Sequence, residues 1–201
     1  ASLPPPASAS SENAALALPA AAAAVALWEL RQEGANELLE AWAQCGVPAA
    51  RDYIAWRLAR GPAPRRAFEL GRSFLPPLGE AHVYSDPLRA TGSLLLALSA
   101  REVEQRLIAR GRIRSRLEGG AAGGEDDAVT AGTFRCALLI LDVPSQRFHV
   151  RSLLTDPGAF PRRRAWIALL ASGDAESLDG LLLLPDASDD AVADLLIAEG
   201  L

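Results

Sequence analysis

The residues in this chain best equipped for chemistry are five arginines on one short stretch: Arg106, Arg110, Arg112, Arg114 and Arg116. A guanidinium group makes forked, two-bonded contacts with carboxylates and phosphates. Five such groups within eleven residues repel one another unless acids lie nearby, and Glu102 and Glu104 supply only two. The pattern predicts a surface that recognises carboxylates on an acidic protein partner. Pairing with acids of the chain itself is the structural alternative. Nucleic-acid binding is disfavoured, because the net charge is −5 and no aromatic residues interleave the cluster. Arg162, Arg163 and Arg164 form a second, smaller patch.

Catalytic groups are sparse. ALLILDV ends an apolar run on Asp142, and Asp156 follows a second such run. Two carboxylates at strand ends could hold Mg²⁺, but an aspartate beside the turn-forming Pro144 is the expected reading. Cys45, Cys136, His82 and His149 show neither zinc spacing nor an arrangement that demands a Cys–His nucleophile. No GxGxxG occurs, and a chain without lysine has no Walker lysine. GGAAGG is followed by acids, which repel phosphate. The expectation is a protein with no catalytic centre, no cofactor and no metal.

The elements that would position these residues are mainly α-helical. Half of the 201 residues are apolar, enough to bury a substantial core. Residues 1–13, ASLPPPASASSEN, have nothing to bury and read as a disordered tail. LALPAAAAAVAL is shorter than the ~20 residues that span a bilayer and predicts an alanine-rich helix over 20–33. Asn36 is placed to cap a helix over 37–45. Pro48 and Pro64 suit the first turns of helices over 48–60 and 64–74. Trp28, Trp42 and Trp56 lie fourteen residues apart, one in each of the first three helices. Lone helices this short are unstable in water, so the tryptophans are expected to form their shared core. Asp86 and Pro87 open a helix that is apolar almost all round and should be central. Ser99 and Glu102 have capping-box spacing, which predicts the next helix from 100. In it Val103, Leu107, Ile113 and Leu117 share one broad arc, and Gly111 should bend or interrupt it.

EGGAAGGEDD, residues 118–127, reads as a flexible linker between a helical subdomain over 14–117 and an acidic, mostly helical one over 128–201. The division follows charge. Fourteen arginines face twelve acids before residue 119, whereas six face thirteen after it. Residues 134–142 and 147–153 read either as helices, which we favour, or as a small β-hairpin. Helices are also expected over 161–171, 176–184 and 189–199.

Two cysteines make no disulfide framework, so the thiols are expected to be free and buried in a reducing, cytoplasmic compartment. All twenty basic residues are arginine. A GC-rich genome explains this; selection against lysine modification in a protein delivered to a host is the alternative. DPLRATGSLLLALSAREVEQRLIARGRIRSRL resembles the central helical pair of the cytosolic adaptor of bacterial type III secretion sorting platforms. TAGTFRCALLILDVPSQRFHVRSLL resembles a later segment of the same family. The resemblance implies a mainly helical, non-enzymatic protein linking the membrane-ring protein to the pod protein beneath the injectisome. We therefore expect a cytoplasmic adaptor or scaffold subunit. The alternatives are a secreted effector or regulator acting on host proteins, and a metal-dependent enzyme using Asp142 and Asp156.

Overall fold

A computed structural model describes residues 14–44, 47–77, 86–119, 125–156 and 159–173. Nine α-helices run through them: α1 Ala14–Glu29, α2 Ala35–Ala43, α3 Pro48–Arg60, α4 Pro64–Phe74, α5 Asp86–Ser99, α6 Val103–Gly119, α7 Glu125–Ile140, α8 Arg147–Ser152 and α9 Ala159–Ala171. Single 3-10 turns, Pro144–Gln146 and Leu153–Thr155, flank α8. The chain is mainly helical, and no strand occurs among the described residues. The hairpin considered for 134–153 is not adopted there: α7 and α8 take its place. The predicted tail, Cys45, His82 and the helices predicted beyond residue 173 lie outside the described residues.

Local signals place several ends. Pro48 and Pro64 each sit at the start of their helices, where a missing N–H is harmless. Other ends are decided by packing. α1 starts a turn and a half before the predicted position, although Pro19 lies inside it. Buried Ala17, and Leu18 packed on Trp56 and Ile167, hold that extra turn against the lost backbone bond. Asn36 does not cap α2; Gly34 does, at φ 76°. The predicted capping box shifts by three residues. Ser99 donates to Leu95 O within α5. Gln105 instead accepts from the backbone N–H groups of Arg101 (2.9 Å) and Glu102 (3.2 Å), so α6 begins at Val103. Gly111 does not interrupt α6, which is continuous.

α5 is the central helix and packs against α2, α3, α4, α6 and α7. Its hydroxyls are satisfied internally: Thr91 donates to Pro87 O and Ser93 to Ala90 O. Polar groups can therefore be buried without an orphan donor. The crossing with α4 is close because Gly71 and Gly92 face it. A Cβ on Gly92 would stand 2.7 Å from Phe74 Cβ, and one on Gly71 would stand 3.0 Å from Leu96 N. One apolar cluster runs from Ala17 and Trp28 through Leu94–Ala97 to Leu138–Leu141 and Leu169, so helices on both sides of the predicted linker share it. α6 and α7 reach into that linker from either end, to Gly119 and from Glu125; residues 120–124 lie outside the described residues. Trp28, Trp42, Trp56 and Trp166 are all buried. Arg66 and Arg60 stack on Trp28 and Trp56, 4.0 and 4.6 Å from the ring centroids. Among the described residues no helix is long and apolar enough to cross a membrane.

Candidate functional site

The arginines of α6 divide according to their acceptors. Arg106 pairs with the carboxylate of Asp142. Arg110 Nε donates to Leu141 O at 2.7 Å. Arg112 Nη1 donates to Arg72 O (3.0 Å) and Leu75 O (2.8 Å). Arg116 Nη2 donates to Pro76 O (2.9 Å) and Pro77 O (3.1 Å). These oxygens lie at the C-terminal ends of α4 and α7, where carbonyls lack intrahelical partners and the helix dipole favours a cation. Three of the five are thus bound to main-chain carbonyls and Arg106 to a carboxylate of the fold. Arg114 is exposed and bonds to no protein group among the described residues. The same device recurs elsewhere: Arg66 bonds to Trp28 O at the end of α1, and Arg101 to Ala59 O at the end of α3.

The apolar arc predicted for α6 needs correction. Its inward face carries Ala109 and Ile113, with Leu117 partly buried. Val103 and Leu107 point outward, 76% and 59% exposed. At 100° per residue Leu107 and Arg114 lie within about 20° of one another, and Val103 lies about 40° from Leu107. The outward face of α6 therefore carries Val103 and Leu107 beside Arg114, with exposed Glu118 on the same stripe and exposed Glu104 at its edge.

Asp142 has a structural explanation. It adopts φ 61° just beyond α7. Its N–H bonds to Leu139 O and that of Val143 to Leu138 O, the two bonds of a Schellman cap. Aspartate is among the few side chains that tolerate this left-handed conformation. Asp156 lies elsewhere, in a cavity wall that includes Gly132, Thr133 and Cys136 of α7. No group of three or more His, Cys, Asp and Glu that could hold a metal comes together among the described residues. Cys136 and His149 are also apart in character: the thiol is fully buried, and the imidazole is exposed on α8 against the edge of Phe148.

Spacing did not reveal a second site. Arg164 of α9 and Asp52 of α3 form an ion pair of 3.0 Å, with side chains only 4% and 1% exposed. Arg164 Nη1 also donates to Thr133 Oγ1 on α7 at 2.6 Å. Three helices thus meet at one buried guanidinium. Asp52 Oδ2 has no hydrogen-bond partner among the described residues. Beside the pair is a cavity of about 150 Å³, walled by Gly132, Thr133, Cys136, Leu153, Asp156, Pro161 and Arg164. The Cys136 thiol is pushed up to about 12, chiefly by burial and further by Asp52, against the opposing pull of Arg164. It is neutral near pH 7 and a poor nucleophile. The second basic patch therefore separates: Arg164 is buried, and Arg162 bonds to Asp156 O at 2.7 Å.

No protein family, curated protein or solved structure matches this chain.

Proposed function

We propose that this chain is a non-catalytic cytoplasmic adaptor that docks a protein partner on the outward face of α6. One observation supports the reading most directly. Val103 and Leu107 stand exposed beside Arg114, the arginine of the five with no bond to the fold. Large apolar side chains next to an unpaired guanidinium suit an apolar partner surface with a carboxylate at its edge. The proposed recognition site narrows from five arginines to Arg114 with Val103 and Leu107. Arg106, Arg110, Arg112 and Arg116 would shape it by holding α6 to α4 and α7. The likeness of residues 86–117 and 130–154 to the sorting-platform adaptor makes the membrane-ring and pod proteins of a type III apparatus the first partners to test.

Affinity capture from the native cell, followed by mass spectrometry, tests this. Leu107→Asp combined with Arg114→Glu should remove the partners that the wild type retains. Its stability should stay within about 0.5 kcal/mol, as for exposed positions. Undiminished capture by the double variant would overturn the α6 assignment. Loss of bound RNA rather than of protein would replace it with nucleic-acid binding, which should also show steep salt dependence.

A further inference from the structure

We propose that the cavity beside Arg164 is a binding site for a small, mainly apolar molecule carrying one neutral carbonyl oxygen. Its size is right for such a ligand: an apolar cavity of about 150 Å³ holds a benzene ring. Leu153, Pro161 and Gly132 supply apolar wall. Arg164 supplies direction. Its Nε and Nη1 are committed to Asp52 and Thr133, and Nη2 has no partner among the described residues. Nη2 is not among the buried atoms left without a partner, and the cavity is the space that Arg164 lines, so an acceptor bound there can take its hydrogen bond in place of water.

Charge balance selects the acceptor. Asp52 already neutralises Arg164, and Asp156 stands in the cavity wall. A carboxylate ligand would bring a second negative charge beside Asp156 with Arg164 already paired, whereas a ketone or amide oxygen accepts the bond without that penalty. The neighbouring Cys136 thiol stays protonated near pH 7, so the site binds without covalent chemistry.

The test is a titration of the ¹⁵N-labelled full chain with cyclohexanone, followed by NMR at the amides of Gly132, Thr133 and Cys136 and at the Arg164 side-chain Nε. Saturable shifts at these groups are expected, with Kd on the order of 1 mM for so small a ligand. Cyclohexanecarboxylate should bind roughly tenfold more weakly because its charge must be buried. Gly132→Ala narrows the site without a clash, since its Cβ would sit 3.5 Å from Leu153 Cδ1. It should keep the thermal midpoint and weaken cyclohexanone binding roughly fivefold by crowding the cavity. Leu153→Phe enlarges another side chain of the cavity wall and should do the same if Gly132→Ala fails to fold. The absence of saturable shifts would mean that the cavity holds water only, and would overturn the proposal. Carboxylate binding as tight as that of the ketone would overturn the choice of a neutral acceptor. Benzene binding equally well, with Arg164 unmoved, would overturn the role of the guanidinium.

Discussion

Arg164 and the arginines of α6 carry the same group in opposite settings. Arg164 is enclosed by α3, α7 and α9, and its main acceptor is the carboxylate of Asp52. Arg110, Arg112 and Arg116 lie partly exposed along one helix and donate to main-chain carbonyls at the ends of α4 and α7. The first arrangement depends on a charge balanced inside the protein. The second depends on the partial charge that every helix leaves at its C-terminus. The run of arginines on α6 therefore ties helix ends together, and Arg164, where a shorter run meets the apolar segment 165–171, occupies the more demanding electrostatic environment.

The sharpest way to break this comparison is to leave one buried charge alone. Arg164→Met should destabilise the protein by about 3–5 kcal/mol, because Asp52 loses its one counter-charge among the described residues while remaining buried. Adding Asp52→Leu should restore much of that loss, since a well-packed apolar pair can replace a buried ion pair. Urea denaturation of the two variants measures both values. If the double variant is as unstable as the single one, packing rather than charge balance holds α3 to α9.

The α6 arginines should respond more mildly. Arg112→Ala removes two bonds to the end of α4 but leaves neutral carbonyls rather than an unpaired charge. The expected loss is about 1–2 kcal/mol, near the lower part of the range for charged donors. Arg114→Ala should leave the denaturation midpoint nearly unchanged, as it removes no bond to the fold. Equal losses at 112 and 114 would erase the distinction between structural and free arginines on which the partner site rests.

These two regions also show what was legible beforehand. The bounds of α3 and α4 follow from Pro48, Pro64, Gly61 and Pro76, since backbone stereochemistry at prolines and glycines acts locally. The central place of α5 follows from its apolar run. The start of α1 does not, because packing around Leu18 overrides Pro19. The acceptors of Arg110, Arg112 and Arg116 are carbonyls 31 to 40 residues away, which side-chain spacing cannot register. Asp52 and Arg164 are 112 residues apart, and neither belongs to a motif. Only Arg164's place directly before the apolar run 165–171 carried a hint: a charge drawn into that run needs a buried partner.

A small gain rather than a loss tests how firmly α6 is held. Gly111 interrupts neither the helix nor its packing, and a Cβ there would meet nothing within 4 Å. Its only consequence is the backbone freedom that glycine retains when unfolded. Gly111→Ala should therefore stabilise the protein by about 0.5–1 kcal/mol, the usual difference within a helix. The added methyl lies on the outward face, next in line to Leu107. If that face is the docking surface, the variant should be more stable and yet bind its partner differently. If it is plain solvent-facing helix, the denaturation midpoint should rise and capture should be unchanged. A fall in stability would mean that α6 needs a glycine there after all, and that the continuous helix is not the one the protein uses.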